Sequence, residues 1–284
     1  MGLWGKPGRL GMSSQNRSLR TWAALALALA FAGSARAHDT WCLPQKFAAS
    51  PGEVVRLELT SAMDFPAPES AIAAERLERA VLRLAGREED LRPEGGGERA
   101  LVLEASLHSA GVAVLGVQLH PRPISLTPDQ VEEYLAEIGA PEAVHRAWKD
   151  LGAREWREVY AKHAQSFVRV GEASADRAWS EPLGLGLEIV PEADPTRLIA
   201  GGSLPVRVLR HGAPLAGLRL SSLPEGGGAE QVATTDADGR ATLAFERSGR
   251  WLVRGTDLRR SQRADAEWES DFTTLTLAVG GGSL

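Results

Sequence analysis

The 284-residue chain has a single cysteine, Cys42, so it cannot form an intrachain disulfide. Its apolar run "WAALALALAFAG" (22–33) is too short for the roughly 20 residues of a membrane-spanning helix. It also lacks a Gly-x-Ser-x-Gly elbow, a phosphate-binding loop and a paired catalytic cysteine and histidine. These absences predict a protein that is stabilised by packing and is not an enzyme.

Residues 1–37 have the three parts of a secretory signal peptide. Five basic and no acidic residues are combined with the short apolar run, which is followed by the small-residue stretch "SARA". Cleavage after Ala37 would make His38 the first residue of the mature chain. Either Met1 or Met12 could be the true start. We therefore expect a periplasmic or secreted protein with no membrane insertion after cleavage, and a retained anchor is the alternative.

The mature chain is acidic. Without residues 1–37 it has 247 residues, with 27 basic against 37 acidic side chains and a formal charge of −10. This balance argues against nucleic acid and anionic membrane surfaces as partners, and it is compatible with binding of cations.

The fold class predicted from the patterns is mainly β, with two β-sandwich-like domains. The first domain, 38–194, contains the alternating segment "GEVVRLELTS" (52–61). The segments "RALVLEASL" (99–107) and "GVAVLGVQLH" (111–120) follow and are predicted to form a hairpin.

A helical insertion at about 127–167 is predicted to interrupt this first domain. "TPDQVEEYLAEIG" (127–139) begins with a threonine cap and a first-turn proline and ends at a glycine. "PEAVHRAWKDLG" (141–152) and "REWREVYAKHAQSFVRVG" (154–171) are predicted to continue as helix, because apolar residues recur at spacings of three and four.

The second domain, 195–280, has about six short strands separated by turns every 8–12 residues. "DADG" (236–239) and "HGAPLAG" (211–217) are predicted hairpin turns. The length and rhythm are typical of an immunoglobulin-like or prealbumin-like β-sandwich.

Several motifs in this order resemble one family: "AHDTW", "YAKHAQSFVRVG", "LGLEIVPEADP", "LPVRVLRHGAPLAGLRL", "TDADGRATL", "GRWLVRGTDLRR" and "WESDFTTLTLAV". The family consists of exported proteins of unknown biochemical function, often labelled the periplasmic component of a nickel or cobalt uptake system. The resemblance covers the mature chain, and the C-terminal part resembles prealbumin-like, carboxypeptidase-regulatory modules. It implies a periplasmic metal-associated binding protein, and its implied partners are the metal ion and an inner-membrane metal transporter.

His38 is the first candidate metal ligand. A terminal histidine offers its α-amine and Nδ1 to one cation, and such nitrogen donors suit nickel, cobalt, copper and zinc. A histidine at the first position of the mature chain does not form a complete metal site by itself, so a further protein ligand is needed. Asp39 is a second candidate, although it could instead support His38 or cap a turn.

Three more residues are candidate ligands from distant segments. His120 ends an apolar strand, His163 lies in the "YAKHAQSF" segment, and Asp64 lies in a Pro-rich loop with Glu69. A surface or core role for the histidines and a loop cap for Asp64 are the structural alternatives. Cys42 is predicted to be a buried apolar side chain, with a soft metal ligand as the alternative.

Three functions remain open from the sequence. The favoured one is a periplasmic nickel- or cobalt-binding protein accessory to metal uptake, with copper or zinc as alternative metals. The second is a β-sandwich interaction or scaffold protein without metal. The third is a copper-dependent enzyme that uses the N-terminal histidine.

Overall fold

The computed structural model describes Met1 and residues 38–151, 155–172 and 177–280. The predicted signal peptide and its cleavage after Ala37 lie outside these residues. Among the described residues, no helix has the length and apolar character needed to cross a membrane. The described chain from residue 38 onward belongs to one compact unit.

The fold is mainly β with a small helical insertion, as the sequence predicts. The described residues form two α-helices and eighteen strands. The helices are α1 (Pro128–Glu137) and α2 (Glu142–Lys149). The strands are β1 (Asp39–Pro44), β2 (Ala48–Ala49), β3 (Glu53–Ala62), β4 (Ser70–Ala71), β5 (Leu77–Leu84), β6 (Arg87–Asp90), β7 (Arg92–Gly96), β8 (Leu101–Leu107), β9 (Gly111–Leu126), β10 (Trp156–Val170), β11 (Leu187–Pro191), β12 (Gly202–Arg210), β13 (Ala213–Pro214), β14 (Arg219–Pro224), β15 (Gln231–Thr234), β16 (Arg240–Phe245), β17 (Gly249–Arg260) and β18 (Trp268–Val279).

These strands form three sheets among the described residues. A nine-stranded sheet has the order β15-β14-β17-β18-β10-β9-β5-β6, with β2 also paired to β10. A five-stranded sheet has the order β1-β3-β8-β7, with β4 paired to β3. A four-stranded sheet has the order β11-β12-β13, with β16 paired to β12.

The nine-stranded sheet contributes to two separate hydrophobic cores. In one, Leu115 of β9 shares a cluster with Leu57 and Leu103 of the five-stranded sheet. In the other, Leu275 of β18 shares a cluster with Val206 of the four-stranded sheet. The nine-stranded sheet is therefore the central layer, and each smaller sheet is packed against it.

The central sheet joins chain segments from both sides of the domain boundary expected at 194/195. Nine residue pairs connect β10, before that boundary, to β18, after it, in a parallel ladder. β11 and β12, which flank the boundary, are also paired. The two sandwich-like halves therefore share their middle layer.

The helical insertion is shorter than predicted. α1 and α2 confirm the first two helices, and Thr127 caps α1 with the expected hydrogen bond from the Gln130 N–H. The third predicted helix, 154–171, is wrong, because residues 156–170 form strand β10. This strand is covered on both faces, so buried residues follow one another without the period-two signal, and their spacing resembles a helix.

The predicted hairpin of 99–107 with 111–120 is also wrong. β8 pairs with β3 and β7, whereas β9 pairs with β5 and β10. The three-residue connection passes between two sheets, because both strands carry apolar faces that pack against each other across layers.

The two turns predicted in the second half have different outcomes. "HGAPLAG" contains the tight hairpin between β12 and β13. "DADG" is a turn, closed by the Gly239 N–H donating to the Asp236 carbonyl at 3.0 Å. It is not a hairpin, because β15 pairs with β14 and β16 pairs with β12.

Candidate functional site

The candidate site begins at His38, next to the first residue of β1. The Nζ of Lys162 on β10 donates a hydrogen bond to the main-chain carbonyl of His38 at 2.6 Å. The next residue, Asp39, accepts a hydrogen bond from Arg254 of β17 at 2.7 Å. One cationic side chain of the central sheet therefore holds the His38 carbonyl, and a second holds the Asp39 carboxylate, at the expected mature terminus.

Further along β1, buried threonines of β18 hold the strand against the central sheet. The hydroxyl of Thr274 donates to the Thr40 carbonyl at 2.7 Å, and the hydroxyl of Thr276 donates to the Cys42 carbonyl at 2.7 Å. β1 thus has a regular ladder to β3 on one side and side-chain hydrogen bonds to β18. Such anchoring limits the freedom of the terminal residues.

The imidazole of His38 faces a carboxylate. Its Nε2 lies 3.8 Å from Oε1 of Glu69, and both side chains are partly exposed. The other oxygen of Glu69 accepts from the Met63 N–H at 3.3 Å, which fixes the carboxylate in its loop. The sequence showed Glu69 only as a neighbour of Asp64, and nothing in the pattern indicated that it would face His38.

Asp39 is committed to an ion pair. Its carboxylate is mostly buried and lies against the Arg254 guanidinium. Burial lowers the pKa of Arg254, but the charge and hydrogen bond of Asp39 outweigh burial and leave that pKa above its ordinary value. Asp39 could therefore bind a metal only at the expense of this pair.

Lys162 is an unusual cation at this point of the central sheet. Its ammonium lies 5.6 Å from the ring centre of Phe272 and 5.8 Å from that of Tyr160. Burial lowers the pKa of Lys162 to about 8, although the nearby Asp39 carboxylate acts in the opposite direction.

His163 is a core histidine. It is buried, and its Nδ1 lies 3.0 Å from the Phe272 carbonyl. Its Nε2 lies 3.9 Å from a carboxylate oxygen of Asp271. The same nitrogen packs closely on Gly186, because a Cβ added to Gly186 would lie only 2.7 Å from it. Burial lowers the pKa of His163. Adjacent side chains of a strand point to opposite faces, so His163 and Lys162 lie on opposite sides of β10.

The remaining candidates lie at the surface. His120 is exposed, and its Nδ1 is 3.8 Å from a carboxylate oxygen of Glu78. Asp64 is exposed, and its carbonyl accepts from the Ala67 N–H at 2.8 Å in a turn. Cys42 is buried, and burial raises its pKa to about 12, so the thiolate form is strongly disfavoured.

The structure does not bring the five predicted ligands together. Among the described residues, no group of three or more His, Cys, Asp or Glu side chains could hold a metal ion. His38 with Glu69 is the pair that fits the predicted chemistry best. In metal sites, a histidine that binds the metal through one ring nitrogen commonly donates the other ring N–H to a carboxylate.

The sequence comparison gives a family match that covers most of the chain. A family model described as a domain of unknown function (DUF4198) matches residues 35–256. This agrees with the resemblance to a family of unknown biochemical function, whereas export, the implied nickel or cobalt role and the prealbumin-like module stay predictions. No curated protein matches the chain significantly.

The solved structures that match this chain include the following three. The Escherichia coli adhesin FdeC is 16% identical with a TM-score of 0.21, and the alignment covers 87% of this chain and 65% of that one. SGBP-B of the Bacteroides ovatus mixed-linkage glucan utilization locus, solved with a mixed-linkage heptasaccharide, is 12% identical with a TM-score of 0.19, over 81% and 44%. The D00-D0 domain of intimin is 10% identical with a TM-score of 0.20, over 84% and 98%. The chain thus spans less than two thirds of the first two proteins, and likenesses this distant carry no argument about function.

Proposed function

This chain belongs to the family described as domain of unknown function DUF4198, and we propose that it is an exported, non-enzymatic binding protein. We propose further that it binds a divalent transition metal, nickel or cobalt, at the mature amino terminus. Delivery to an inner-membrane metal transporter is the corresponding biological role.

The observation that carries the proposal is the fixed environment of His38. Its carbonyl accepts from Lys162, its neighbour Asp39 is paired with Arg254, and its Nε2 faces Glu69. A terminal amine and an imidazole on a mobile end lose conformational freedom on binding a metal. Here the backbone is already ordered, which favours chelation by the same residue.

His38 would hold the metal through its α-amine and Nδ1, and Glu69 would orient the ring. Both nitrogen donors must be deprotonated to bind the metal, so the affinity should fall as the pH falls. The described side chains supply no complete set of three or more, so water or a metal-bound small ligand would occupy the other coordination positions.

The test is a competition titration with nickel and cobalt on the chain that begins at His38. The matched control carries one additional alanine before His38, which converts the α-amine to an amide and leaves the imidazole in place. We expect the affinity to fall by tenfold or more, about 1.4 kcal/mol, in the extended chain. Equal affinity in both chains would refute chelation by the terminus.

Glu69→Gln tests the orienting role separately. Loss of such a partner commonly lowers metal affinity about 10–100-fold. Glu78→Gln, beside the exposed His120, is the matched control and should leave the metal affinity unchanged. A loss of affinity in the control as great as in Glu69→Gln would contradict the assignment.

The alternative function is an interaction or scaffold protein without metal. The absence of a three-ligand group among the described residues favours it. An unchanged melting temperature with nickel, cobalt, copper and zinc, together with no binding in the titration, would support this alternative over the metal-binding role.

A further inference from the structure

A wide polar cleft opens beside the end of β10, and its lining includes none of the residues of the His38 site. Three parts of the chain line the cleft: β2 with the following Ser50, the end of β10 with Arg169 and Gly171, and a short 3-10 helix (Pro195–Arg197) with Arg197. Its volume is about 570 Å³. Ligand sites are commonly clefts of about 300–1,000 Å³, so a small organic molecule would fit.

Arg169 is the unusual residue of this cleft. Its side chain is half-buried, yet its guanidinium makes no hydrogen bond or ion pair with any other described residue. Its backbone is fixed, because its N–H donates to the Phe47 carbonyl at 2.9 Å within the sheet. The guanidinium of Arg169 is therefore available to a ligand in the cleft.

Arg197, the second cationic residue of the lining, has hydrogen-bond donors that its ion pair does not use. Arg197 engages Asp194 through Nε at 3.2 Å, which leaves its terminal N–H groups available. The Glu53 carboxylate in the lining is already paired with Lys46. Two guanidinium groups from separate elements therefore remain to meet a ligand in the cleft.

We propose that this cleft binds a small molecule through an oxyanion group, a carboxylate or a phosphate, with Arg169 as the main contact and Arg197 as the second. Guanidinium groups present paired N–H donors that match the oxygens of these groups. The lining contains no aromatic side chain and is mostly polar, so a compact polar anion suits it better than a lipid or a stacked ring. This proposal is independent of metal binding at His38.

Substitution of Glu172 should change the anion affinity in the direction opposite to substitution of Arg169. It lies exposed in the cleft lining and carries the same charge as the proposed ligand. Its repulsion should weaken anion binding, whereas Arg169 should strengthen it. A cleft that merely changes shape on mutation would not give opposite effects at these two positions.

The experiment is calorimetric titration of the mature chain with phosphate and, separately, with citrate, in a Tris–chloride buffer of constant ionic strength. Arg169→Gln should weaken binding tenfold or more, Arg169→Lys should lie between it and the wild type, and Glu172→Gln should tighten binding. Arg122→Gln, at an exposed position on β9, is the matched control and should bind as the wild type does. The melting temperature of each variant shows that it is folded.

The two ligands identify the source of the oxyanion. Binding of phosphate alone would assign a phosphorylated molecule, and binding of citrate alone would assign a carboxylate. Absence of binding for both at millimolar concentration would overturn the proposal. Binding that survives Arg169→Gln unchanged, or that weakens in Glu172→Gln, would overturn it as well.

Discussion

Replacing Lys162 by methionine should raise the stability of the protein at neutral pH and remove a pH dependence. The ammonium of Lys162 is enclosed by the rings of Tyr160 and Phe272 and by the His38 carbonyl. Burial lowers the pKa of Lys162 from 10.5 to about 8. A lysine whose pKa is lowered by folding binds its proton more tightly in the unfolded chain, so folding is opposed while the lysine is charged.

The size of the effect follows from the two pKa values. One pKa unit corresponds to about 1.4 kcal/mol, so this difference corresponds to roughly 3 kcal/mol as an upper bound. The sign is fixed by linkage: the unfolded chain holds more protons between pH 8 and 10.5, and stability from this group rises with pH across that window. At pH 7 the wild type should therefore be less stable, relative to Lys162→Met, than at pH 10.

Urea unfolding gives the free energy of unfolding of the wild type and of Lys162→Met at pH 7 and at pH 10. The prediction concerns how much the difference between the two proteins changes from one pH to the other. Lys149→Met, at an exposed position on α2, controls for the loss of a surface lysine. A difference between wild type and Lys162→Met that is constant across this range to within about 0.5 kcal/mol would refute the argument that Lys162 is desolvated. The variant should also bind metal at His38 more weakly, because it no longer fixes the carbonyl of that residue.

Three further substitutions test other contacts by urea unfolding. Gly186→Ala should cost about 1–3 kcal/mol, because the new Cβ would lie 2.7 Å from Nε2 of the buried His163; unchanged stability would mean that this ring can move. Thr276→Val should cost about 1–3 kcal/mol, because the buried Cys42 carbonyl loses its donor at 2.7 Å, and a neutral effect would contradict the anchoring of β1. Burial raises the pKa of Glu158 above 4.5, despite hydrogen bonds to the carboxylate, so the stability that this group contributes at low pH is lost as the pH rises through its folded pKa. Compared with Glu158→Gln, the wild type should therefore lose stability between pH 4 and pH 7, and a constant difference would exclude the raised pKa.

Patterns that depend on one buried face could be predicted from the sequence. In β3, Val55, Leu57 and Leu59 are buried and alternate with more exposed residues, as the period of two indicated. The start of α1 was also predictable, because Thr127 and Gln130 form a capping box within four residues. Both signals are local, so no knowledge of distant packing was needed.

β10 could not be predicted because its two faces pack against different layers. Phe167 belongs to the core with the four-stranded sheet, and Val168 belongs to the core with the five-stranded sheet. Consecutive buried residues therefore carry no period. The failed hairpin has a related cause, since Leu103 of β8 and Leu115 of β9 share one core but belong to different sheets, and sequence proximity gave no information about the layer.

Of the candidate site, the sequence indicated His38 and none of the side chains around it. The terminal position expected for this histidine rests on the signal-peptide pattern, which is local in sequence. Its partner Glu69 is 31 positions away and its anchor Lys162 is 124 positions away. Only the folded arrangement of β1 against β10 and β18 brings these side chains to the terminus.

β10 links the expected mature terminus to the interior of the protein. Lys162 on one face donates to the His38 carbonyl, while His163 on the other face is tied to the Phe272 carbonyl and packs on Gly186. Because the two residues are adjacent, a shift of the strand that loosens the packing around His163 must also move the donor that fixes His38. His163 therefore holds the strand from one face, and the strand positions the terminus at which we propose that metal binds.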